Sequence, residues 1–91
     1  MINWWKCPKL LKAARRADEI VIEACGGNAA RAFSLGRIQR FCSGYVKGAT
    51  GVEIQPKETE FLDHPLVKLR NEWYDEGFEM GRKESEDERI G

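Results

Sequence analysis

Asp63-His64-Pro65-Leu66-Val67-Lys68-Leu69-Arg70-Asn71-Glu72-Trp73-Tyr74-Asp75-Glu76-Gly77-Phe78-Glu79-Met80-Gly81 reads as one helix with a marked start. The Asp63 carboxylate suits the N-cap, where it can accept the free N–H groups of the first turn. Pro65 falls in that turn, where its missing N–H costs nothing. Leu66, Leu69, Trp73, Gly77 and Met80 recur at helical spacing, and Val67, Tyr74, Phe78 and Gly81 widen the stripe. Trp73 is the expected centre of the core. Lys68, Glu72, Asp75, Glu76 and Glu79 occupy the other side. An interior helical Gly costs about 1 kcal/mol relative to Ala. Gly77 and Gly81, four apart on the apolar side, therefore predict that another backbone comes close.

Gly44-Tyr45-Val46-Lys47-Gly48 has the same form as Gly77-Phe78-Glu79-Met80-Gly81. Two helices with paired glycines can cross at close range, each aromatic beside the partner's glycine. The first pair sits in a helix expected from Ala29 to about Lys47. One of its faces carries Leu35, Ile38, Cys42, Tyr45 and Val46, the other Phe33, Phe41, Gly44 and Gly48. A helix apolar on two sides is sandwiched between neighbours. The neighbours expected are the 63–81 helix and an earlier one over Lys9–Cys25. That first helix repeats Leu10, Ala14, Ala17, Val21 and Ala24 on one face. Gly26-Gly27 ends it and Asn28 caps the next. Residues 48–62 form a connecting loop, with Val52 and Ile54 in an extended piece and Phe61 and Leu62 anchoring it to the base of the third helix. Residues 84–91 form a charged tail with little to bury. The expected architecture is all-α: a small three-helix domain, with an N-terminal helical extension at 1–28 and a helical hairpin at 29–83.

The net charge of zero conceals a split. Residues 1–48 hold nine Lys or Arg and three acids, and residues 49–91 hold six Lys or Arg and twelve acids. Lys9, Lys12, Arg15 and Arg16 cluster in the first half of the first helix, ahead of Asp18, Glu19 and Glu23. That order opposes the helix dipole, which favours acids first. A placement that local stability disfavours can serve binding. Trp4 and Trp5 cannot both face one side of a regular element. One is expected to pack against the body, and the other to be a candidate contact for a partner.

Catalytic chemistry is not expected. His64 is the sole histidine, best read as a capping or surface residue, and no second ligand near it suggests a metal. Cys7, Cys25 and Cys42 lack the spacing of a zinc knuckle or a redox pair, and Cys25 and Cys42 read as small core residues. Gly48-Ala49-Thr50-Gly51 lacks the Lys-Ser/Thr of a phosphate loop. No cofactor, metal or small-molecule substrate is expected. No apolar run reaches membrane-spanning length, and Met1–Pro8 lacks the pattern of a signal peptide, so cytoplasmic residence is the default.

Gly44, Gly48 and Gly51, then His64-Pro65-Leu66, then Trp73 and Gly77-Phe78 together resemble the ribosome modulation factor family over residues 29–83. In that family two helices are joined by a loop. The first ends in glycines spaced as here, an Asn-Pro-Tyr or Cys-Pro-Tyr element opens the second, and a Trp and a Gly-aromatic pair follow. This chain departs in its longer loop, in Leu66 where the family has tyrosine, and in the spacing from Trp73 to Gly77. The resemblance implies a small regulatory protein that binds the ribosome. On that reading Lys9, Lys12, Arg15, Arg16, Arg31, Arg37 and Arg40 meet RNA phosphates, and a tryptophan or Tyr45 stacks on a base. Similar domains also occur on phages and other mobile elements. The alternative is therefore an inhibitor of a host protein, such as a nucleic-acid-binding defence complex. It would act by occupying a surface or by acidic mimicry of nucleic acid through Trp4, Trp5, Glu72, Asp75, Glu76 and Glu79. A homodimer is compatible with either.

Overall fold

The computed structural model describes residues 3–90, with side chains as far as Asp87. It is an all-α domain of three long helices and one short one, with no strand among the described residues. A 3-10 turn at Trp4–Lys6 leads into α1, Pro8–Ala24. Pro8 opens α1, where the missing N–H is tolerated. Leu10, Ala14, Ala17 and Val21 are buried along one face. Gly26 and Gly27 close the helix at positive φ. Gly27 N–H donates to the Ile22 carbonyl and Gly26 N–H to the Glu23 carbonyl, the paired bonds of a glycine C-terminal motif.

The single helix expected over 29–47 is broken. Asn28 caps α2, Ala29–Phe33, by accepting the Arg31 N–H at 3.1 Å. A 3-10 turn at Ser34–Gly36 follows, and α3 begins at Arg37 and runs to Thr50. Leu35 and Gly36 both have positive φ, at 57° and 77°. Two successive left-handed residues cannot continue a right-handed helix. The break keeps Ala32 in the core while α3 takes a new direction. Phe33 and Leu35, expected on α3's apolar faces, are exposed as a result.

As expected, α3 is sandwiched. Ile38, Phe41, Cys42, Ser43, Gly44, Tyr45 and Val46 are all buried. Toward α1, Cys42 Sγ lies 4.0 Å from the Ala14 carbonyl oxygen. Toward α4, Pro65–Ile90, the backbones themselves meet. A Cβ on Gly44 would lie 2.9 Å from Phe78 N, and one on Gly48 would lie 2.9 Å from Arg82 N. On α4, a Cβ on Gly77 would be 3.0 Å from Tyr45 N, and one on Gly81 3.1 Å from Ala49 N. Only glycine fits at these four points, because the obstructing atoms are backbone. The positions rise together on both helices, from 44 against 74 and 78 to 48 against 78 and 82. The two helices of the expected hairpin therefore run parallel, and the loop must carry the chain back along their length.

Residues 51–64 form that returning strap. Thr50 Oγ1 accepts the Val52 N–H at 3.2 Å, and Ser43 Oγ faces Gln55 Oε1 at 3.5 Å. Val52 and Ile54 pack on the core, without forming a strand. Glu58 is the clasp. Its N–H donates to Asn71 Oδ1, its carbonyl accepts from Asn71 Nδ2, and its carboxylate takes both prongs of Arg70 at 2.8 Å. Phe61 and Leu62, expected to anchor the loop, are exposed instead, because the Glu58 clasp already holds the strap.

Further expectations for the third helix are corrected. His64, not Asp63, caps α4: its Nδ1 accepts the Leu66 N–H at 3.1 Å. The buried stripe is Val67, Tyr74, Gly77 and Gly81, while Leu66 and Met80 face outward. Trp73 is half-buried and not central. The close approach at the glycines centres the contact on Tyr74 and Gly77, which turns Trp73 to the edge. There the Arg37 guanidinium lies over its ring at 5.9 Å. The helix also continues through the segment read as a tail.

Candidate binding faces

The basic residues separate into two groups at opposite ends of α3. At one end, the first half of α1 meets the C-terminal end of α3 and the later turns of α4. Lys9, Lys12 and Arg16 line a cavity of about 290 Å³ there with Tyr45, Thr50 and Glu84. Arg16 reaches across to α4 and forks Glu84, Nε to Oε1 and Nη2 to Oε2, both at 3.1 Å. The Tyr45 hydroxyl donates to the same carboxylate. Arg16 Nη1 also lies 3.6 Å from Glu19. The Glu84 fork raises the Arg16 pKa above its ordinary value. In turn Arg16, and then Tyr45, hold the Glu84 carboxyl below the usual carboxylate range. Arg16 is thus committed to joining α1 to α4. Lys9, Lys12 and Arg15 are exposed and have no acidic partner among the described residues. Lys12 and Arg15 also line an outer depression with Pro8, Leu11, Arg16 and Glu19.

At the other end, Arg37 and Arg40 begin α3 and are half-buried. Arg37 is occupied by Trp73, and Arg40 Nη2 lies 3.8 Å from Glu58. Glu58, held by Arg70 first and Arg40 next, has its carboxyl pKa lowered. Arg31 stands exposed on α2. The seven basic residues singled out by sequence therefore do not form one surface. Lys9, Lys12 and Arg15 stay together as outward charge, while Arg16, Arg37 and Arg40 tie elements to one another.

Glu72, Asp75, Glu76 and Glu79 are all exposed on α4. Asp75 pairs with Lys57 and Glu79 with Arg82, each at 2.8 Å. Glu72 and Glu76 have no ion-pair partner among the described residues. The groove beside Asp75, Glu76 and Glu79 also contains Arg82 and Lys83, so its charge is mixed. Trp4 and Trp5 meet edge to face, centroids 6.0 Å apart. Trp4 packs on the core and Trp5 is 52% exposed, the division expected of two adjacent tryptophans.

Sequence reasoning missed Glu58 and Glu84. Each lay in a stretch without periodicity, and each acts by reaching a distant arginine, a pairing that leaves no local spacing. It also missed Asp18, which lies half-buried with no hydrogen bond or ion pair to a described residue. Burial pushes the Asp18 carboxyl pKa up, and burial with the nearby Asp18 pushes the Cys42 thiol up to about 12. Among the described residues no cluster of His, Cys, Asp and Glu is placed to hold a metal, and no helix is long and apolar enough to cross a membrane. No family model, curated protein or solved structure matches the chain.

Proposed function

We propose that this chain is a small non-enzymatic regulatory protein that binds RNA, on the ribosome, through the first half of α1. The carrying observation is the exposed Lys9, Lys12 and Arg15 group, which has no acidic partner among the described residues and begins in the first turn of α1. The free N–H groups of that terminus carry partial positive charge. Lysines added there raise a potential that an anion lowers, which accounts for a charge order that is unfavourable to the isolated helix. The resemblance to ribosome modulation factor supports the choice of RNA. Lys9, Lys12 and Arg15 changed together to Gln should weaken binding to ribosomes and flatten its salt dependence. Each lost phosphate contact should lower the log–log slope by about 0.7–0.9. Folding should be unaffected, since exposed charges contribute little. Unchanged affinity and slope in this triple variant would refute the reading.

A second reading keeps the acidic face as the working surface, a phage-type inhibitor docking on a basic host protein. What favours it is the pair Glu72 and Glu76, one turn apart on the exposed side of α4 and without an ion-pair partner among the described residues. Reversing both to Lys should abolish capture of such a partner and leave ribosome binding intact.

A further inference from the structure

A cavity of about 410 Å³ opens between α1, α3 and the strap. Neither Lys9, Lys12 nor Arg15 lines it, so it plays no part in the RNA reading. Its walls are apolar over most of their extent, with Trp4, Phe33, Ile38 and Ile54 beside the polar Gln39, Ser43 and Gln55. Trp5, packed edge-on against Trp4, helps to fix that wall. One carboxylate, Asp18, stands among these side chains. It has no hydrogen bond or ion pair to any described residue, although it is half-buried. A carboxylate partly removed from water without a donor is a standing cost to the fold. Burial has already raised its pKa, which is the mark of that cost.

We propose that this cavity binds a small organic monocation, an arylalkyl amine, with its ammonium on Asp18 and its apolar body between Trp4, Phe33, Ile38 and Ile54. The volume falls in the range of pockets that enclose small ligands, and such pockets are mainly apolar with a few placed polar groups. A single unpaired negative charge calls for a single positive one. Trp4 and Phe33 place two aromatic rings in the lining, which suits an aromatic body or the cation itself. A neutral hydrocarbon would strip the remaining water from Asp18 and leave it unpaired, and an anion would be repelled. The strap forms one wall, since Ile54 and Gln55 belong to it.

The test uses phenethylamine on the full chain, followed by NMR at the Trp4 indole and Gln55 side-chain amide. Phenethyl alcohol and hydrocinnamate serve as the neutral and anionic counterparts. Wild type should bind the amine at least about tenfold tighter than the alcohol, and should not bind the acid. Asp18→Asn should remove the preference for amine over alcohol. Ile54→Trp, which fills the cavity, should abolish binding of both while the circular dichroism spectrum stays helical. Equal binding of amine and alcohol by wild type would overturn the proposal. So would an amine preference that survives in Asp18→Asn, or the absence of any shift at Trp4.

Discussion

At Gly77 an added methyl group would have to share space with the Phe41 carbonyl, and no side chain can swing away to make room. Overpacking in a well-filled site costs about 1–3 kcal/mol. Gly77→Ala should reach the upper end of that range, despite a helix-propensity gain of about 1 kcal/mol. Gly26→Ala is the comparison, because nothing lies within 4 Å of its Cβ position and only its positive φ matters. That change should cost about 1–2 kcal/mol. Urea denaturation of the two variants measures the difference. Trp73→Ala should cost less than a central tryptophan would, about 1–2 kcal/mol, since it loses a half-buried ring and one contact with Arg37. The close approach at the glycines was legible in the sequence, because two interior helical glycines need a reason. The place of Trp73 was not. Hydrophobic spacing gives a stripe about a hundred degrees wide, and the small residues inside it decide where the partner sits.

Among the elements, α4 depends on its cap and the strap on its clasp. His64→Ala removes the acceptor for Leu66 N–H and should cost about 1 kcal/mol, read as earlier thermal melting. Glu58→Gln keeps the size of the side chain but loses the charged fork with Arg70. Hydrogen exchange should then quicken over residues 52–60 and not in α1. The carboxyls of Glu58 and Glu84 both have lowered pKa values in the folded chain. A carboxyl with a depressed folded pKa stabilises the fold above its unfolded value of about 4.3, and that contribution disappears as pH falls through the folded value. Asp18 is raised and acts with the opposite sign, so its penalty is relieved by acid. Stability should therefore fall below about pH 4, less steeply in Glu58→Gln, which has already lost one of the two groups. At neutral pH Asp18→Asn should melt no earlier than wild type. The break at Leu35 and Gly36 was the least legible element. Gly36 lies inside the apolar periodicity expected over 29–47, which shows no stop there, and Leu35 does not favour positive φ.

In the whole molecule, the excess of base in the first half of the chain does not become one positive hemisphere. Arg16, Arg37 and Arg40 spend their charge on Glu84, Trp73 and Glu58, and the exposed remainder on α1 is smaller than the count suggests. Composition can show that charge is present. It cannot show which charges are already paired, because the pairs join residues far apart in sequence. Changing Arg16 to Gln is thus expected to loosen the packing of α1 on α4, seen as faster exchange in α1, as well as altering any RNA contact. Lys12→Gln should alter the RNA contact alone.

The parallel run of α3 and α4 has a kinetic consequence. Every glycine contact joins positions some thirty to thirty-six apart, as Gly44 with Tyr74 and Gly81 with Tyr45 show, so none can form from a tight turn. Such non-local closure slows folding relative to a bundle with local connections. Because the glycines repeat every four residues, the alternatives to be excluded are registers one turn out of step. Sliding α4 in one direction would bring Trp73 to the place of Gly77, and the indole blocks it. Sliding in the other would bring Ser85 to the place of Gly81, where its Cβ would run into the Tyr45 carbonyl. The Glu58 clasp at one end and the Arg16–Glu84 fork at the other hold the same register. A chain lacking both should therefore still refold in a single stopped-flow phase, because the glycines set the register alone.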